Sequence, residues 1–352
     1  NMYGGTIKNN TAKNGGAFYS VTAGTVNLEG GTISGNQSTS TSSNGYTGGG
    51  AIYLRGGGKL TISGTQIIGN SAAKDGGAIF TGCRNFTISG NATITGNTAG
   101  RRGGAVCLYS DTGLDAKLDM TGGTISGNSV TNDGGGVYVG KRCTLTLDGS
   151  AAFTGNKAKW GGAIYLTDNS SLTMTNGELT QNNASEQGGG VFSYSDSSSS
   201  SLSGGTIKNN TAGKNGGAVY INKGTLKISG DPVVKDNTVA DNANNVELNS
   251  GKTLTISDAM SSGASIGVTT GNTNYPVVFS NAYETDYKDY FFSDAGKTIN
   301  YNSNKQLEIG KDAAHEHTGG TATCTAKAVC EICNQEYGEK DPANHAGGTE
   351  VR

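Results

Sequence analysis

The residues best equipped for chemistry lie near the C-terminal end. Residues 315–345 read His-x-His-x6-Cys-x5-Cys-x2-Cys-x11-His. Cys330 and Cys333 are spaced so that two thiolates can chelate one ion. Cys324 and one histidine, His345 or His317, would complete a tetrahedral Cys3His zinc site. A module of about thirty residues with so little apolar content needs a metal or disulfides to fold. Exported proteins favour disulfides, so disulfide pairing stands beside structural zinc. Neither an open coordination position nor a base is visible, so no hydrolytic role is read there. His317-Thr-Gly-Gly-Thr returns as His345-Ala-Gly-Gly-Thr, which marks the segment as the start of a tandem repeat.

Carboxylates are the next candidates. Sugar hydrolysis needs two of them across the scissile bond, and acid–base or calcium chemistry needs them clustered. The best candidates are Asp111, Asp115, Asp119, Asp133 and Asp148, with Lys74, Arg101, Arg102, Lys141 and Arg142 nearby in sequence. None recurs at matching positions of successive repeats, so they read as solvated charged turns. No catalytic residue is assigned, and the chain is not expected to be an enzyme. A third candidate is a row of aromatics, Tyr19, Tyr53, Phe80, Tyr138, Tyr165, Phe192 and Tyr220, broken at Cys107. It could bind a glycan or a protein, or be a plain stacking ladder.

The elements that position these residues come from a repeat. The third residue of a Gly-Gly-Ala/Gly unit falls at Ala17, Ala51, Ala78, Ala105, Gly136, Ala163, Gly190 and Ala218, with spacings of 34, 27, 27, 31, 27, 27 and 28. A fixed period in this range signals a repeat architecture. An apolar residue follows each unit (Phe18, Ile52, Ile79, Val106, Val137, Ile164, Val191, Val219), and the aromatic row comes one later. Strand side chains alternate between faces. The aliphatic row is expected inward, with the small residue and the aromatic outward. A second alternating segment (Leu60/Ile62, Leu145/Leu147) and a third centred on residues such as Ile33 and Ile94 complete each unit.

Three residues after each third-strand centre stands an asparagine: Asn10, Asn36, Asn70, Asn97, Asn128, Asn156, Asn182, Asn210 and Asn237. Asparagine tolerates the left-handed backbone of a sharp corner. Its amide can both donate to and accept from its counterparts one coil away. The row is read as a structural ladder without a catalytic role.

Three strands per turn with sharp corners describe an all-β, right-handed parallel β-helix of pectin-lyase-like type. It should have nine to ten coils over residues 1–258 and a length of roughly 45 Å at about 4.8 Å per coil. Residues 259–310 are expected to form a final coil and an aromatic cap built on Tyr275, Tyr283, Tyr287, Tyr290, Phe291 and Phe292. Residues 311–352 form the Cys/His-rich module. Insertions at 37–47 and 110–117 should bulge from turns. Cys83, Cys107 and Cys143 sit at different positions in their repeats and are expected to be free, packed thiols.

Composition narrows the function. There are 59 glycines and 3 prolines among 352 residues, and the net charge is −2. That charge leaves no basic footprint for nucleic acid. No apolar run is long enough to span a membrane. The chain opens inside a repeat, so it is expected to be part of a longer exported protein whose signal and anchor lie elsewhere.

The alternation of Gly-Gly-Ala-Ile with Ile/Phe-x-x-Asn, as in Ala78-Ile79 with Ile94–Asn97 and Ala163-Ile164 with Phe153–Asn156, resembles the repeat of chlamydial-type polymorphic outer-membrane proteins. The resemblance covers residues 1–240. It implies a surface-exposed β-helical adhesin followed by a β-barrel. This chain departs there, because its tail resembles the Cys/His repeats of large surface proteins of Gram-positive gut bacteria. The expected function is a non-catalytic bacterial cell-surface or secreted adhesin or stalk with a host glycan or protein as partner. No cofactor is expected beyond a structural zinc in the tail. The alternative is a pectinolytic-like polysaccharide lyase or hydrolase, since such enzymes use parallel β-helices. An exposed coil end could also self-associate.

Overall fold

The computed structural model describes residues 1–42, 46–110, 115–312, 319–323, 326–329, 336–341 and 343–344. Two compact units divide the chain, Asn1–Lys311 and Asp312–Arg352.

The first unit is a right-handed parallel β-helix of about ten coils. Its strands stack in strict register. One ladder runs Ile52↔Ile79↔Val106↔Val137↔Ile164↔Val191↔Val219↔Val246. A second runs Leu60↔Phe86↔Leu118↔Leu145↔Leu172↔Ser200↔Leu226↔Leu254. A third carries Ile33, Ile67, Ile94, Ile125, Phe153, Leu179, Ile207 and Val234. Each regular coil holds four strands rather than three. The fourth is short, as in Ser71–Ala72 and Thr98–Ala99, and pairs in parallel with its neighbours. It escapes a period-2 search because two residues show no alternation. For the same reason the first insertion is shorter than expected, since Gln37–Ser38 is the regular fourth strand of its coil.

The inward-facing residues of the three longer ladders form one continuous apolar core. The small residue of the Gly-Gly-Ala unit belongs to it as well, which corrects the outward placement. Ala51, Ala78, Ala105, Ala163 and Ala218 are fully buried there. They lie at the corner before the strand begins, where strand alternation does not yet hold. Size matters at this corner. A Cβ on Gly136 would meet the Phe153 ring at 2.8 Å. Glycine at 136 therefore accommodates the bulkier third-strand residue of its own repeat.

The asparagine row forms an unbroken amide ladder. The side chain of each donates through Nδ2 to Oδ1 of the next, at 2.9–3.0 Å from Asn10 through Asn237. The same Oδ1 also accepts the backbone N–H of the preceding member, as Asn97 Oδ1 does from Asn70. The corner's left-handed residue is not the asparagine but the one before it: Gly35, Gly69, Gly96, Gly127 and Gly155, or Asn9, Gln181, Asn209 and Asp236. Glycine dominates this position because it adopts positive φ without a Cβ penalty.

The helix closes at its C-terminal end with an irregular coil. Asn237 donates to Asn245 Oδ1 at 2.9 Å, and Asn245 in turn donates to Asp294. Glu247 takes the aromatic-row position after Tyr220 and accepts the Gly216 N–H and the Asn244 amide. Strands Val277–Ala282 and Gln306–Asp312 then pair antiparallel. Phe279, Tyr287, Phe291, Leu307 and Ile309 pack onto the last core residues. Of the aromatic cluster read from sequence, Tyr287 and Phe291 are buried in this end, Tyr275, Tyr283 and Tyr290 pack partly against it, and Phe292 is exposed.

The three cysteines of this unit are free and buried. Cys83 and Cys143 occupy one interior column, contrary to the expectation of unrelated positions. Lys117 N–H bonds the Cys83 carbonyl and Thr144 N–H bonds the Ala116 carbonyl, which puts Ala116 in the coil between them. Two coil spacings, roughly 10 Å, exceed disulfide reach.

In the second unit, Ala328–Val329 and Glu336–Tyr337 pair antiparallel. Tyr337 Oη donates to the Gly319 carbonyl at 2.7 Å. Cys324, Cys330, Cys333, His317 and His345 lie outside the described residues.

Candidate functional site

The aromatic row stands on the outer face of the first ladder, where alternation puts it. Only Tyr19, 58 % exposed, is open to solvent, while Tyr53, Phe80, Tyr138, Tyr165, Phe192 and Tyr220 are all buried. This corrects the reading of an open surface row. Each ring is covered by its neighbours: Tyr19–Tyr53, Tyr53–Phe80, Tyr138–Tyr165 and Phe192–Tyr220 stack with centroids 5.0–5.7 Å apart. Burial pushes the Tyr138 and Tyr165 hydroxyls well above their ordinary pKa. At the break, Cys107 is buried and its thiol is likewise pushed up by desolvation.

A second outer column lies two residues further on, on the same face. Successive ladder bonds align Arg55, Gly82, Tyr109, Gly140, Thr167 and Tyr194. Tyr109 lies over Phe80 at 5.7 Å, and Tyr194 over Tyr165 at 6.0 Å. Between them the column holds only Gly140 and Thr167. That stretch without bulky side chains opens a slot of about 390 Å³. Its floor is Tyr138 and Tyr165, and Tyr109 and Tyr194 wall its ends, three coil spacings or roughly 14 Å apart. A smaller hollow of about 160 Å³, bounded by Trp160, Phe192 and Asn222, adjoins it and shares Tyr165 and Tyr194.

Charged side chains form the slot's rims. One rim belongs to a column of bridged residues, Asp75↔Arg102↔Asp133↔Trp160. Arg101 clasps Asp75 with two hydrogen bonds. Arg102 lies 4.9 Å over the Tyr138 ring, with its Nε 3.5 Å from Asp133. Burial raises the Asp133 pKa, and the Arg102 charge partly offsets this. Lys141 and Asp168 occupy the other rim.

The other carboxylates singled out in the sequence do not converge on this slot. Asp115 pairs with Arg142 at 2.9 Å, and Asp119 pairs with Lys117 at 2.9 Å. Asp148 is exposed, its pKa lowered by the Gly149 N–H. Lys74 donates to the Ser42 carbonyl at 2.5 Å. Asp111 lies outside the described residues. Among the described residues no group of three or more His, Cys, Asp or Glu is arranged to hold a metal. Sequence reasoning missed Tyr109, Tyr194, Trp160 and Asp168. The legible signal for the two tyrosines was their place two residues after the ladder positions Cys107 and Phe192.

Residues 112–282 match the family model described as right handed beta helix region, and residues 64–82 match the Chlamydia polymorphic membrane protein repeat. The solenoid is a polymorphic-membrane-protein-like right-handed β-helix. No curated protein and no solved structure matches the chain. No helix among the described residues is long and apolar enough to cross a membrane. In this polymorphic-membrane-protein-like solenoid, the slot is a recess of the outer face that a uniform coil stack would not have.

Proposed function

We propose that this chain is a non-catalytic bacterial surface protein of the adhesin type, held outside the cell and binding its partner through the outer face of the first ladder. The slot between Tyr109 and Tyr194 carries this reading. Its volume lies in the range of small-ligand sites, and it combines rings with a few convergent polar groups, as such sites do. The repeat match supports a surface-exposed setting, because the matching family is described as a membrane protein of Chlamydia. The non-catalytic reading draws on the ion pairs: Asp115, Asp119 and Asp133 are each committed to a basic partner.

The test is binding of the labelled full chain to cultured epithelial cells and mucus, with Thr167→Tyr as the blocked control. Saturable binding that the control loses supports the adhesin reading. No binding by either protein contradicts it and leaves a stalk. Release of new reducing ends from plant or host polysaccharides would instead favour an enzyme.

A further inference from the structure

Resting on that reading of the slot, we propose that its ligand is a neutral oligosaccharide. Four charged groups face the opening. Arg102 and Lys141 supply two cations, and Asp133 and Asp168 supply two carboxylates. The slot's formal charge therefore sums to zero. A phosphorylated, sulfated or sialylated ligand would meet two carboxylates, and a polycation would meet two bases. A sugar hydroxyl both donates and accepts, so it suits a rim that offers both kinds of partner.

The apolar part of the site fits the same ligand. Tyr194 is 52 % exposed yet held over Tyr165, so it presents a positioned ring at one end. Rings held in place bind at small entropic cost. The buried floor adds rigidity, since Tyr138 and Tyr165 are stacked at 5.6 Å beneath the opening. Arg102 contributes an oriented guanidinium, fixed over Tyr138 with its buried Nε 3.5 Å from Asp133.

Size argues against a folded protein as the primary occupant. A stable protein interface buries about 800 Å² on each partner, whereas the concavity is three coils long and flanked by regular, covered rings. The adjoining hollow by Trp160 extends the path along the coil axis, so the site takes a short chain of sugars rather than a single ring.

The experiment applies the full chain to immobilised neutral hexose and N-acetylhexosamine oligosaccharides, with sialylated and sulfated oligosaccharides alongside. Thr167→Tyr fills the slot from the outer column, where the neighbouring coil already carries a tyrosine. Tyr194→Ala removes one wall without touching the core. Thermal melts verify that both variants fold. The expected result is retention of neutral oligosaccharides, weakened at least tenfold in Thr167→Tyr and in Tyr194→Ala. Neutral binding unchanged by Thr167→Tyr, or binding confined to the charged oligosaccharides, overturns the inference. Cell binding that Thr167→Tyr abolishes, with no oligosaccharide retained, also overturns it while leaving the adhesin reading intact.

Discussion

Asn245 hands both of its amide-side donors to Asp294: its Nδ2 reaches Oδ1 at 2.6 Å and its backbone N–H reaches Oδ2 at 2.7 Å. A carboxylate only accepts, so it closes a chain of amides that would otherwise end on an unmet donor. Thr269 Oγ1 adds a third hydrogen bond at 2.8 Å. Asp294→Ala is expected to destabilise the solenoid by about 3 kcal/mol, because two buried donors lose their acceptor. Gly267→Ala should act similarly, since a Cβ there would run into Asn245 Nδ2 and Asp294 Oδ1. Chemical denaturation of the two variants and of the double variant checks this. Additive losses would show that the two residues do not act on one junction.

Inside the ladder, Asn128→Ala removes the acceptor of Asn97's N–H and Nδ2 at once. The expected cost is again about 3 kcal/mol. Asn128→Asp keeps the acceptor but faces Asn156 Oδ1, which then has no Nδ2 donor from residue 128. Both variants should melt well below the parent protein. A melting temperature unchanged in Asn128→Ala would refute the structural weight given to the row.

Ser200 points into the second ladder between Leu172 and Leu226, 1 % exposed, with its Oγ lacking a hydrogen-bond partner among the described residues. Ser200→Val replaces a buried hydroxyl with methyl groups on a strand. It is expected to raise stability by about 1 kcal/mol, read as a higher denaturation midpoint. A lowered midpoint would mean that the column has no room there.

Asp133 gives a pH prediction. Burial raises its folded-state pKa above the unfolded value. The folded chain then holds a proton that the unfolded chain has already lost, so this group's contribution declines as pH rises from the ordinary carboxylate range through the raised value. Asp133→Asn removes that slope. The stability of the parent protein relative to the variant should therefore fall across this window. An equal pH profile for the two proteins would exclude the effect.

The interior thiols are expected to be inert. Burial pushes the Cys143 pKa up to about 12 and also raises that of Cys83, and the thiolate is the reactive form. Alkylation at pH 8 followed by peptide mapping should leave Cys83, Cys107 and Cys143 unlabelled in the native chain and labelled in denaturant. Native labelling of any of them would place it nearer the surface.

Much of the scaffold was legible because its determinants are local and repeated. Ile52, Ile79 and Val106 recur at a fixed offset from a glycine pair, and each asparagine keeps its distance from an aliphatic centre. Where a coil substitutes one of these cues, the reading lapsed. The strand Ser199–Leu202 is polar on three of four positions and shows its register only through its neighbours. Asn245 occupies the column of the small residues and enters the ladder by pointing inward from there. The slot was hidden for a different reason. It is made by what Gly140 and Thr167 lack, and small side chains announce nothing until Tyr109 and Tyr194 are placed beside them. The aromatic row was found, but its burial depends on rings stacking between coils, which the alternation of one strand cannot report.

The amide ladder has a bearing on how such a chain can change over time. Successive members are separated by 26, 34, 27, 31, 28, 26, 28 and 27 residues, yet every junction is made by the same hydrogen bonds. The joint is standardised while the length between joints is free. Coils are therefore interchangeable parts. One can be duplicated, lost or lengthened without retooling its neighbours, and a recess such as the one over Gly140 and Thr167 can arise or be erased by swapping two outward residues.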